Sequence, residues 1–171
     1  MNALMSPLLS QPILLTPADG KDPAATAATA AEVRAIVGLA HARGARSLTI
    51  GSGRLPHATA AAHAIAAAWQ AAGGTVTGTI TWPESAASWL RQAVAFTRDD
   101  PDLWVMAGPV LGWAQMTRRL LWSTNWRPER TLATAAIGRR AALDLVGVLN
   151  LPGFSGATAA GEMWTVTQEM R

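Results

Sequence analysis

A short apolar run, Ser47 to Ile50, meets Gly51-Ser-Gly53, and a long alanine-rich helical pattern starts behind Pro56. Strand, glycine turn, helix is the unit from which parallel α/β sheets are built. A chain that opens on this unit and then repeats the alternation has few other ways to fold. The turn is also the first place to look for a site. Backbone amides at the start of the following helix favour anions and polar ligands.

The rest of the chain keeps the alternation. Thr26 to Ala42 reads as a helix, with Val33, Ile36, Val37 and Leu39 on one face and Gly44 as its stop. The helix after the first strand runs from Pro56, well placed at a helix start, to about Ala72. Thr75 to Trp82 alternates threonine with Val76, Ile80 and Trp82, the signature of an edge or half-exposed strand. A helix is expected from Pro83 to about Phe96. Leu103 to Ala107 is apolar throughout and therefore a central strand. Val110 to about Trp122 reads as a helix, Thr131 to Ile137 as a fourth strand and Arg139 to Leu145 as a short helix. Val146 to Leu151 is expected to be a fifth strand, and Ala157 to Gln168 a last helix.

Residues 1–25, broken by Pro7, Pro12, Pro17 and Pro23, are expected to be an extended segment, with Ile13 to Leu15 as a short strand within it. Residues 26–171 form one α/β domain in this reading. Its sheet is doubly wound, mainly parallel and five-stranded, in the flavodoxin-like order 2-1-3-4-5, with helices on both faces.

Composition narrows the chemistry. Half of the 171 residues are hydrophobic and 15% are charged, which is globular. There is no cysteine, so disulfides, thiolate catalysis and cysteine-held zinc are excluded. No apolar run reaches the ~20 residues of a membrane span. Met1 to Pro7 has no basic region of the signal-peptide kind. The net charge of +3 is carried by arginine, six of them between Arg118 and Arg140, with Trp104, Trp113, Trp122 and Trp126 in or near that stretch.

Several motifs fall short of a chemistry. Gly51-Ser-Gly53 is half a dinucleotide fingerprint, but Pro56 stands where the third glycine belongs and Trp82 where the ribose-binding acid belongs. His41, His57 and His63 lack metal-ligand spacing and read as surface or capping residues. Ser52, His57 and Asp102 contain the residue types of a triad without a nucleophile elbow. Asp99, Asp100 and Asp102 read as a solvated turn. No catalytic residue, metal site or cofactor is therefore expected. The arginine and tryptophan stretch fits phosphate contact and base stacking, but it fits a packed strand and helix better.

The remaining guide is topology. Ligands of open α/β sheets sit beyond the C-terminal strand ends, where the strand order reverses. For the order 2-1-3-4-5 that crevice lies between the turns after strands one and three. The candidate ligand-binding residues are Ser52, Gly53 and Arg54, with Trp82, Gly108 and Pro109.

Four segments, in order, resemble one lobe of a type I periplasmic solute-binding protein, the class of branched-chain amino-acid receptors and penicillin-binding-protein activator lipoproteins. They are Ala42 to Ile50, Ala66 to Val76 with its Gly73-Gly74, Asp100-Pro-Asp-Leu-Trp-Val-Met-Ala107, and Leu145 to Pro152. The family has two lobes and binds its ligand between them; about one lobe is present here. The resemblance implies a non-enzymatic module that binds a small polar or anionic, amino-acid-like solute, with Ser52, Arg54 and Gly108 facing the cleft. It also implies a periplasmic location if a signal has been removed; otherwise the location is cytoplasmic. A homodimer would cover the cleft-facing surface. Two other readings stay open: a small flavodoxin-like enzyme or nucleotide-binding protein, and a nucleic-acid or acidic-surface binder acting through Arg118 to Arg140.

Overall fold

A computed structural model describes residues 27–167. The segment expected to be extended over 1–25 lies outside these residues. The elements are α1 (Ala30–Ala42), β1 (Ser47–Gly53), α2 (Pro56–Ala71), β2 (Thr75–Trp82), α3 (Leu90–Thr97), β3 (Leu103–Ala107), α4 (Val110–Ser123), β4 (Thr131–Ala133), α5 (Arg140–Val146), β5 (Ser155–Ala157) and β6 (Met163–Thr165). The sheet order is β2-β1-β3-β4-β5-β6. All neighbours are parallel except β5 and β6.

The fold is thus the expected doubly wound α/β sheet, with a sixth, antiparallel strand at its edge. Residues of β3 point alternately to its two faces. Leu103 and Val105 join Leu48, Ile50 and Leu132 under α1 and α2. Trp104 and Met106 join Trp82, Phe96, Trp113 and Phe154 under α3, α4 and α5. Each helix buries one stripe: Ala58, Ala61, Ala62, Ile65 and Trp69 on α2, for example. Edge strand β2 keeps its threonines exposed.

Five expectations need correction. The fourth strand stops at Ala133 rather than Ile137, because the chain turns from Thr134, whose carbonyl accepts from the Ile137 and Gly138 amides at 3.0 and 3.2 Å. Gly51-Ser-Gly53 is not a turn but the buried end of β1. A Cβ at Gly51 would overlap Trp82 and Phe96, so the glycine lets these two rings, which meet edge to face, approach the strand closely. The fifth strand is Ser155–Ala157, not Val146 to Leu151. The apolar residues Ala142, Leu143 and Val146 are the buried stripe of α5, and Gly147 (φ +92°) turns the chain into a short 3-10 helix, Val148–Asn150. No helix follows Ala157 among the described residues. Gly161 (φ +84°) makes a turn in which the Thr158 amide donates to the Glu162 carbonyl at 2.8 Å, and β6 returns along β5. Finally, α3 starts at Leu90 rather than Pro83. The intervening loop is held by Trp89 Nε1, which donates to the Pro83 carbonyl at 2.9 Å.

Candidate functional site

The C-terminal strand ends carry a cavity of about 320 Å³. It lies at the ends of β3 (Ala107, Gly108), β4 (Thr134, Ala135, Ala136) and β5 (Thr158, Ala159). The N-terminal end of α1 (Thr29, Glu32) and the first turns of α2 (His57, Ala58, Ala61) close one side. Gly138, Arg139 and Trp164 close the other.

Local sequence explains how each wall is placed. Thr29 caps α1 and forms a reciprocal capping box with Glu32. The Glu32 carboxylate also reaches β4's end: Oε1 accepts from the Ala135 amide at 2.7 Å and Oε2 from the Thr29 amide at 3.3 Å. Glu32 is 3% exposed. Burial pushes its carboxyl pKa up, and the two amide bonds pull it back. Helix α2 starts at Pro56 with no side-chain cap, and the Ala58 and Thr59 amides donate to the Leu55 carbonyl at 3.0 and 3.1 Å. The Trp164 indole lies in a slot made by Gly138 and Gly156, since a Cβ on either would overlap the ring. Its Nε1 is buried and has no hydrogen-bond partner.

The six candidate residues fall into different settings. Gly108 lines the cavity and is joined to Pro109, the cap of α4, by a cis peptide bond. The Gly53 amide donates to the Gly108 carbonyl at 3.2 Å, which closes the gap between the ends of β1 and β3. The cavity therefore opens further along the sheet, at β3, β4 and β5. Ser52 is fully buried, and its Oγ has no partner. Trp82 is fully buried in the core under α3 and α4. Arg54 is exposed, and Pro109 half-buried.

Glu84 was not among the candidates, yet it organises the other side of this end. Oε2 accepts from the Gly112 amide at 2.9 Å, in the first turn of α4. Cβ atoms at Gly53 or Gly112 would overlap its carboxylate, so two glycines make room for it. Its Oε1 is buried without a partner. Burial raises its pKa, while the Gly112 amide and the nearby His57 lower it.

The other constellations come apart. Asp102 lies at the opposite end of the sheet from His57 and accepts from the amides of Arg46 (2.7 Å) and Ser47 (3.1 Å), so Ser52, His57 and Asp102 form no triad. In the arginine stretch, Arg118 donates to the Leu145 carbonyl, Arg130 pairs with Asp100 at 3.1 Å, and Arg140 pairs with Asp144 at 2.8 Å. Trp104, Trp113 and Trp126 are buried, leaving Trp122 as the exposed ring of the four. Among the described residues, no cluster of histidine and acidic side chains fits a metal, and no helix is long and apolar enough to cross a membrane.

Solved structures that share this fold include substrate-binding proteins of ABC transporters. A substrate-binding periplasmic protein from Ralstonia solanacearum matches with a TM-score of 0.64 at 14% identity, over 78% of this chain and 38% of that one. A branched-chain amino acid ABC transporter periplasmic ligand-binding protein from Burkholderia xenovorans LB400 matches with a TM-score of 0.60 at 14% identity, over 75% and 34%. The fold is that of one lobe of a type I periplasmic solute-binding protein. A third lobe of this kind, in a solute-binding protein of R. palustris in complex with 4-hydroxybenzoate, matches with a TM-score of 0.56 at 16% identity, over 68% and 32%. The chain spans about a third of the length of these proteins. No protein-family model and no curated protein sequence matches it. In the lobe, the cavity lies at the C-terminal strand ends, as the topological rule requires, but beside β3, β4 and β5 rather than at the β1–β3 switch point.

Proposed function

We propose that this lobe is a non-enzymatic solute-binding module that holds a small polar or anionic molecule in the strand-end cavity. The cavity carries the reading. It lies at the C-terminal ends of three parallel strands, and nearly half of its lining residues are alanine, with Thr29, Glu32, His57, Thr134, Arg139 and Thr158 as the polar side chains. Its volume is at the lower end for ligand sites, which suits a molecule of amino-acid or benzoate size. Gly108 lines this site, and Pro109 follows it through the cis peptide bond. Arg54, free in solvent, is placed to meet a ligand or partner approaching from outside.

Thermal denaturation with a panel of small acids, amino acids and amines tests this. At least one solute is expected to raise the Tm of the native protein and to leave an Ala136→Trp variant, whose cavity is filled, unmoved. Protection by none of them, or equal protection of both proteins, would contradict the reading.

A second surface over this end is the companion reading, with another copy of the chain as its source. It is favoured by Leu55 (43% exposed) and Leu111 (48% exposed), which follow the ends of β1 and β3 and leave large apolar side chains in solvent. Sedimentation with and without a solute that protects the protein is expected to show a dimer; a monomer under both conditions would remove it.

A further inference from the structure

The polar groups of the cavity are unequal in sign. Arg139 brings a guanidinium that makes no hydrogen bond or ion pair among the described residues. Trp164 Nε1 is a buried donor with no partner, and His57 Nε2 is buried and unpartnered as well. The N-terminal ends of α1 and α2 both border the cavity, and their dipoles add positive potential. Against these stands one lining acid, Glu32. It is almost completely buried, and each of its oxygens already accepts a backbone amide. The neighbouring acids are turned to other tasks: Glu84 is held at Gly112, and Asp144 pairs with Arg140. Among the residues that line this space, an ammonium group would meet a guanidinium and helix N-termini and no carboxylate free of backbone amides. Burying an unpaired cation is costly.

We infer that the cavity selects a small monocarboxylate without an α-ammonium group, its carboxylate on Arg139 and its apolar body against Ala58, Ala61, Ala107 and Trp164. The inference rests on the solute-binding reading and sharpens it against the amino-acid-like solute suggested by sequence resemblance. Arg presents a planar fork that fits a carboxylate in two parallel bonds. A site built for an acid penalises the amino acid of the same skeleton because it must also desolvate the ammonium.

Calorimetric titration with three probes of one skeleton separates the possibilities: 4-methyl-2-oxopentanoate, L-leucine and isopentylamine. The oxo acid is expected to bind, and leucine to bind roughly 100-fold more weakly or not at all. Arg139→Gln is expected to weaken the oxo acid at least about 10-fold, and Arg139→Lys to restore part of the loss. Leucine binding as tightly as the oxo acid, or an Arg139→Gln variant with unchanged affinity for it, would overturn the inference. If leucine or the amine binds and Ala136→Trp abolishes that binding, the anion preference falls while solute binding stands. If no probe binds and none of the wider panel protects, both fall.

Discussion

The two ends of this sheet are built on opposite terms. At the N-terminal strand ends the polar groups close on one another. Asp102 takes the amides of Arg46 and Ser47, and Ser47 Oγ accepts the Asp102 amide at 3.0 Å. Arg130 donates to Asp100 and to the carbonyls of Pro101 and Asp102, with its guanidinium 4.7 Å from the centre of the Trp104 ring. Arg43 donates to Ser155 Oγ at 2.7 Å and to the Glu129 carbonyl at 3.2 Å. At the C-terminal ends, Ser52 Oγ, His57 Nε2, Glu84 Oε1 and Trp164 Nε1 are buried with no partner. Polar groups in that state cost stability. The N-terminal end is thus closed by its own hydrogen bonds, while four of the nine buried side-chain atoms without a partner among the described residues gather at the C-terminal end, which carries the cavity. The acids show the same division. Hydrogen bonding, led by the Arg46 amide, holds Asp102 below the usual carboxylate pKa, whereas burial raises Glu32 and Glu84.

If this contrast is correct, substitutions at the two ends should have different readouts. The largest stability effect is expected from Arg130→Ala, a loss of about 2 kcal/mol from its hydrogen bonds and its stacking on Trp104. Asp102→Ala, which frees two backbone amides near the surface, is expected to cost about 1–2 kcal/mol. Urea denaturation measures both, and neither change should alter solute protection. A weakened solute response with intact folding would break the division of labour.

The pH dependence gives a smaller, directional test. Because Asp102 is depressed, its contribution is present above its unfolded pKa near 3.8 and is lost as pH falls through the folded value. Because Glu84 is raised, its contribution is present below about 4.5 and is lost as pH rises through the folded value. Relative to the native protein, Glu84→Gln should therefore gain Tm between pH 4 and pH 7, by less than the Asp102→Ala loss. A relative loss over that range would show that the ionised carboxylate is the form that the Gly112 amide holds. The smallest effect belongs to Ser52→Ala. With no bond to lose, its denaturation midpoint should shift by no more than about 0.5 kcal/mol, on the stabilising side. A clear destabilisation would mean that Ser52 Oγ has a partner.

How much of this was legible in the sequence follows from where the information lies. β2 and β3 were readable to the residue because period-two alternation and an unbroken apolar run are local signals. Pro56 and Gly73 marked the ends of α2 in the same way. β5 was not readable. Ser155-Gly156-Ala157 has no β-branched or aromatic residue, and it is a strand because β4 and β6 pair with it. The apolar run before it looked more strand-like, but only Val146 joins the buried side of α5; Gly147 then turns the chain into the 3-10 helix Val148–Asn150.

The site shows the same limit. Gly108 was reachable because the switch-point rule needs only strand order. Glu32, Thr134, Arg139 and Trp164 come from four separate elements or loops, and the Glu32–Ala135 bond joins residues 103 apart in sequence. His57 read as a surface or capping residue because its neighbours in sequence supply no chemistry. Its place at the cavity depends on α2 lying over the strand ends. Glu84 left no signal, since the glycines that admit it, Gly53 and Gly112, lie on β1 and α4.

The most direct test of the central claim is a titration followed by ¹⁵N–¹H resonances of the tryptophan indoles. Trp164 reports on the cavity, Trp104 on the Arg130 end, and Trp69, whose Nε1 donates to the Thr75 carbonyl at 3.0 Å, on the α2 flank. Addition of 4-methyl-2-oxopentanoate should move the Trp164 indole in a saturable way and leave the Trp104 and Trp69 indoles in place. A Trp164 signal that does not move, or saturable shifts centred on Trp104, would contradict the assignment of binding to the C-terminal strand ends.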